Sequence, residues 1–181
     1  INLMQTYLYQ YEQYLENITG LKIEQIQLGF EQTQSMLGSI FFKGCLFLSE
    51  KFYEETDWTQ ISEKQLNGNK TVKQEAQLVV APFLVTVSNQ MFQQWEKLNT
   101  IFADQVTEIK PGENKKMTVG AFCNSAIRSV SFPNLKTLSF AAFFDCHNLE
   151  TVDLPMCESV CSYALGHCPS LISLKLPKVT S

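Results

Sequence analysis

Six cysteines and two histidines are the residues of this chain whose types could do chemistry, and most stand close together: Cys146-His147, Cys157, Cys161 and His167-Cys168. Three chemistries use such a set. Tetrahedral zinc needs four convergent nitrogen or sulfur ligands, and the paired C-x-x-C spacing of a zinc ribbon is absent. A Cys157–Cys161 disulfide would need an oxidising compartment. A Cys/His nucleophile would need an orienting acid and a cleft, and nothing in the spacing supplies them. The remaining reading is structural. Free cysteine is among the most buried residue types and packs as a small hydrophobe. No catalytic residue, metal ligand or cofactor site is assigned. The triplets Asn17-Ile18-Thr19 and Asn69-Lys70-Thr71 are glycosylation sequons, which matter only in a secreted chain. The stretch "MQTYLYQYEQYL" carries four tyrosines, for which core packing is the expected role. The acidic "EETD" beside Trp58 is expected to be a solvated loop.

The residues that position these thiols are written in a repeat. Pro133, Pro155 and Pro177 are spaced by 22 residues. Before each proline, equivalent sites hold Phe132, Leu154 and Leu176, then Val130, Val152 and Leu174, then Ile127, Leu149 and Leu171. After it come Leu135, Cys157 and Val179, then Leu138 and Val160, then Phe143 and Leu165. Cys146 and Cys168 share one slot, with Asn124 in the preceding copy and Trp95 before that. Pro82 and Asp104 extend the register upstream, through Leu84, Val87 and Phe92 and through Val106 and Ile109. The step to Pro133 carries seven extra residues, placed at the polar segment 110–117 as a surface-loop insertion. Within a copy, Val152 and Leu154 alternate with Thr151 and Asp153, the period of a short strand with one buried face. Proline then removes a backbone donor and ends the strand. One copy cannot bury both of its apolar rows, so copies must stack.

Upstream the pattern decays. "FFKGCLFL" keeps the Phe42, Cys45, Leu48 spacing of Phe143, Cys146 and Leu149, and Ile18, Leu21 and Ile23 keep that of Leu149, Val152 and Leu154. "NGNK", 67–70, suggests a further turn or insertion. Against that, Leu8, Tyr11, Leu15 and Ile18 fit a helical stripe. Residues 1–74 are therefore degenerate repeats or an N-terminal helical cap, with degenerate repeats the favoured expectation, and 75–181 are the regular repeats.

Composition narrows the function. Apolar residues make up 45% and charged residues 18%, so a packed core is expected. The net charge of −4 and the lack of a basic cluster exclude a nucleic-acid partner. No apolar run approaches the ~20 residues that span a bilayer, so no membrane insertion is expected. "LPKVTS" stops inside a repeat, and the natural chain is expected to continue beyond Ser181.

The segment "AFFDCHNLETVDLP" resembles the repeat of the BspA-like leucine-rich repeat family, across about 78–181. The resemblance implies an α/β-type leucine-rich-repeat solenoid, mostly β and loop, its short parallel strands stacked into a curved sheet with about 22 residues per repeat. It implies protein recognition as the commonest role, often in surface adhesins, and carries no catalytic residues. In such a repeat the residues between the buried strand positions project from the concave sheet. The register then presents Leu78 and Val80, Thr100 and Phe102, Ser129 and Ser131, Thr151 and Asp153, and Ser173 and Lys175, with Arg128 and Glu150 just before their strands. Leu78, Val80, Thr100, Phe102, Arg128, Ser131, Glu150, Thr151, Asp153 and Lys175 are the expected partner-binding residues. The apolar end of this row either binds a partner or lies beneath the N-terminal segment. The expected function is a non-enzymatic protein-recognition module. The alternative is a structural spacer or scaffold segment in a larger assembly. The resemblance suggests a cell-surface or secreted protein, while apparently free cysteines suit a reducing, intracellular compartment.

Overall fold

The computed structural model describes residues 3–33, 38–50, 58–63, 70–112 and 119–180. The segments "NGNK" (except Lys70), "EETD" and most of the expected insertion at 110–117 fall outside them.

Seven strands form one sheet: β1 (Ser39–Phe42), β2 (Cys45–Leu48), β3 (Leu78–Val80), β5 (Thr100–Phe102), β7 (Ser129–Ser131), β9 (Thr151–Asp153) and β11 (Ser173–Lys175). β1 and β2 are an antiparallel hairpin, and every later neighbour pairs in parallel. The register places Leu78 opposite Thr100, Thr100 opposite Ser129, Ser129 opposite Thr151, and Thr151 opposite Ser173. That is the alignment expected from the prolines. On the other side of each turn, short strands carry the second apolar row. β4 (Thr86–Val87) pairs with β6 (Glu108–Ile109), and β8 (Thr137–Leu138) pairs with β10 (Ser159–Val160).

A parallel stack works because each turn satisfies its backbone on the next. Asn99 N–H donates to the Gln77 carbonyl, Arg128 to Asn99, Glu150 to Arg128 and Ile172 to Glu150, at 2.8–2.9 Å. A second ladder runs through the connecting turns, where Phe92, Phe122 and Phe143 donate to Ala121, Ala142 and Ala164. These turns use left-handed residues at repeating positions, namely Gln94, Asn124, Asp145 and His167, at φ between 54° and 61°. Asparagine and aspartate tolerate that conformation better than most residues. Gly120 has a different constraint: a Cβ there would stand 2.0 Å from the Ala141 carbonyl oxygen.

Inside, Phe92, Phe122 and Phe143 stack as a spine, with centroids 5.2 and 4.7 Å apart and planes within 19° and 10°. Such ring pairs contribute about 0.5–1.5 kcal/mol each beyond their buried area. Around them lie the fully buried repeat residues Val79, Ile101, Val130 and Val152 of the strands and Val87, Ile109 and Leu138 of the second row. At the insertion the outer row is interrupted. There the Ser139 hydroxyl donates to the Ile109 carbonyl, and Gly112 N–H donates to Phe140 at 3.0 Å.

The N-terminal third differs from the strand reading of its sequence. Ile18, Leu21 and Ile23 lie at the junction of two helices, α2 (Glu12–Thr19) and α3 (Ile23–Gln32), preceded by α1 (Leu3–Gln10). Left-handed Gly20 ends α2, its N–H on the Glu16 carbonyl at 2.9 Å. The Glu16 carboxylate then accepts the first amide of α3, from Ile23 at 3.0 Å. Leu8 and Leu15 of the helical stripe are fully buried. Cys45 is corrected too. It sits in a strand opposite Leu78, the site held by Thr151 three turns later, and not in the slot of Cys146. The chain from the hairpin to β3 passes through two short helices, α4 (Trp58–Glu63) and α5 (Val72–Glu75). Thr71 starts α5: its hydroxyl accepts from Gln74 N–H, while its own amide donates to the Gln74 side chain.

Candidate functional site

The sheet has two faces, and alternation along each strand assigns its residues to them. Inward lie Leu46, Val79, Ile101, Val130 and Val152, all in the main core. Outward lie Cys45 and Phe47, Leu78 and Val80, then Thr100 and Phe102, Ser129 and Ser131, Thr151 and Asp153, and Ser173 and Lys175. This outward face is the one expected to carry the partner-binding residues, and it divides into two parts.

The first part is covered. Helices α1–α3 bring Leu8, Leu15, Ile23, Ile26 and Phe30 onto Cys45, Phe47, Leu78 and Val80, making a second core distinct from that of the repeats. Leu78 and Val80, expected on an open apolar patch, are 0% and 1% exposed. The physical reason is direct: five or more apolar side chains on one sheet face stay in water only at a cost of about 1.5–3 kcal/mol each. Phe102 marks the limit of the cover. Tyr11 lies flat on it at 4.0 Å and 8°, and Tyr14 meets it edge-on at 5.0 Å and 70°. Tyr7 packs against Phe83 in the same manner, at 5.6 Å. Three of the four tyrosines of the N-terminal stretch thus join the helices to the repeats. Burial, then the charges of Asp104 and Tyr7, raise the Tyr11 phenol to about 12.

The second part is open. Ser131 and Lys175 are exposed, and Ser129, Thr151, Asp153 and Ser173 are half-exposed. Thr100, at the border, is half-buried. Arg128 and Glu150 form an ion pair at 2.6 Å along its margin, with side chains 55% and 39% exposed. An exposed pair of this kind contributes about 0–1 kcal/mol, so it organises the margin more than it stabilises the fold. A second pair, Lys97 with Glu75 at 3.1 Å, joins the turns of β3 and β5, two turns earlier, and holds the Glu75 carboxyl below its ordinary value. The structure therefore brings eight of the ten expected residues to the border or the open part, and removes two.

Of the thiols, Cys146, Cys157 and Cys168 lie behind this face in or against the repeat core, while Cys45 lies on it beneath the helices. None of the six cysteines is disulfide-bonded. Cys146 is fully buried and donates to the Phe122 carbonyl at 3.1 Å; Cys168, half-buried, repeats the contact one turn later on Phe143. The preceding turn fills the slot with Ser125, 4% exposed and 3.8 Å from Cys146 Sγ. Asn124, expected there, is instead the exposed left-handed turn residue. The one-residue shortening of that copy falls after Ser125, between it and Ile127. Burial raises the Cys45 and Cys146 thiols to about 12 and Cys123 to about 11. A thiol held neutral in this way is a poor nucleophile and a poor metal ligand. Cys157, at the inward site after Pro155, is fully buried.

Among the described residues, no helix is long and apolar enough to cross a membrane. Neither a curated protein nor a solved structure matches the chain. Residues 115–181 match the family model described as "BspA type Leucine rich repeat region", in six copies. The strands at Leu78–Val80 and Thr100–Phe102 precede the matched segment yet continue its register without a break. The parallel ladders, the phenylalanine spine and the family match together identify 115–181 as BspA-type leucine-rich repeats, within a solenoid of about 4 turns of roughly 22 residues.

Proposed function

We propose that this chain is a non-enzymatic protein-recognition module whose partner docks on the open outward face formed by β7, β9 and β11, with residues 1–74 serving as the cap of the solenoid. The observation that carries this reading is the change along one face. Where the side chains are apolar the chain covers them itself, and where they are serine, threonine and charged they stand exposed on a rigid parallel sheet. A rigid array spends little ordering entropy on binding. The raised thiols argue against nucleophilic catalysis by Cys45, Cys123 or Cys146. A surface adhesin is one form of this function, drawn from the resemblance alone; the buried neutral thiols suit an intracellular compartment equally well.

The test compares affinity capture by the wild-type chain and by a Ser131→Arg, Asp153→Lys double variant, after circular dichroism establishes that both are folded. A partner retained by the wild type and lost by the variant is the expected result. A partner retained equally by both puts the binding surface elsewhere. Capture of nothing by either favours the spacer reading.

A further inference from the structure

The border between the helical layer and the open sheet joins two features that neither region has alone. One is aromatic: Tyr14, 53% exposed, stands edge-on to half-buried Phe102, with Tyr11 stacked on the same ring. The other is acidic. Asp104 lies two residues past Phe102 and is close enough to act on the Tyr11 phenol. Asp153 lies two strands along the face, roughly 10 Å at ordinary strand spacing. Between them in the register stands Ser131, an exposed residue with a short side chain. Among the described residues neither carboxylate belongs to an ion pair. Arg128 is held by Glu150 and Lys97 by Glu75, and Lys175 faces Asp153 in the register without closing to ion-pair distance.

We infer that this border anchors an arginine side chain from an extended, basic segment of a partner protein, an inference that rests on the open face being the recognition surface. A guanidinium is planar, so it stacks on aromatic rings while its rim of donors pairs with carboxylates. An aliphatic anchor would cover Asp104 and Asp153 without compensating them, which is costly. An acidic segment would be repelled by them and by the net charge of −4. The row of Ser129, Thr151 and Ser173 continues the border as a shallow floor of hydroxyls, suited to a chain lying extended across the strands.

The probes are three labelled ten-residue peptides that alternate serine with arginine, with lysine or with glutamate, titrated by fluorescence anisotropy at low and at physiological salt. The arginine peptide is expected to bind best, and to lose about threefold on Tyr14→Ala and on Asp153→Asn, the scale of one exposed cation–π or ionic contact. Tyr14→Phe should restore the loss. Equal binding of arginine and lysine peptides with no effect of Tyr14→Ala would reduce the contact to diffuse charge and overturn the inference, as would preference for the glutamate peptide or binding of none. Thr151→Tyr, which fills the floor, separates the two levels. If it abolishes binding of a non-arginine peptide, the open face is the recognition surface and only the arginine anchor fails. If it changes no binding at all, the open face itself is excluded.

Discussion

The two ends of one sheet face share a backbone register and differ in almost everything else. Leu78, Thr100, Ser129, Thr151 and Ser173 are equivalent positions on successive strands, yet the first is sealed under three helices and the later ones meet water. The ladder of backbone hydrogen bonds is indifferent to that change, because its donors and acceptors lie in the sheet plane. What the outward side chains decide is whether another layer must cover them. In this fold the repeat fixes the scaffold, and the non-repeating side chains divide its outward face into a part covered by its own chain and a part exposed to water.

Substitution across the divide breaks the comparison most sharply. Val80→Asp would bury an unpaired charge between sheet and helices, and more than about 4 kcal/mol of destabilisation is expected in denaturant titration. Ser131→Asp, on the adjacent turns of the same face, is expected to change stability by no more than about 0.5 kcal/mol. Similar losses at the two positions would mean that the helices do not seal the apolar end. Phe102→Ala, at the boundary, should give an intermediate loss of about 2–3 kcal/mol, below that of a fully enclosed phenylalanine. Its effect should also be non-additive with Tyr11→Ala, because the two rings share one contact.

Alkaline titration sharpens the same contrast more gently. Cys45 under the helices and Cys146 in the repeat body are held neutral up to about 12, against an ordinary thiol value of 9.0. The unfolded chain releases these protons first, so the contribution of the two thiols should be constant below pH 9 and be lost between about 9 and 12. Tyr11, raised from 10.0 to about 12, adds to the loss at the covered end. Thermal melts at stepped pH measure this. Cys45→Ala and Tyr11→Phe should each flatten the curve, and an unchanged curve would remove the assigned cause.

The register of the sheet was legible because a 22-residue period leaves one alignment in which every apolar row is buried. Smaller features were legible only in part. Ser125 hid because a copy one residue short can be aligned with its gap on either side, and a polar residue in a cysteine slot gives no hydrophobic signal. The backbone settles it: Asn124, not Ser125, repeats the left-handed turn of Asp145 and His167. Cys45 was misplaced because "FFKGCLFL" fits both a turn and a strand, and pairing with Leu78–Val80 chooses the strand. The burial of Leu78 and Val80 did leave a trace. "LVV" is an unbroken apolar run, the mark of a strand covered on both faces, where later copies read "SVS" and "TVD". Which segment supplied the cover could not be read locally, because it lies about sixty residues upstream.

Site-directed photo-crosslinking tests the central claim most directly. A photoreactive residue placed at Ser131 or Thr151, on the open end, should give adducts with a captured partner that disappear in the Asp153→Lys background. The same probe at exposed Lys43, in the turn between β1 and β2, should give none. Adducts from Lys43 with none from Ser131 or Thr151 would contradict the assignment of the open face as the place where this solenoid meets its partner.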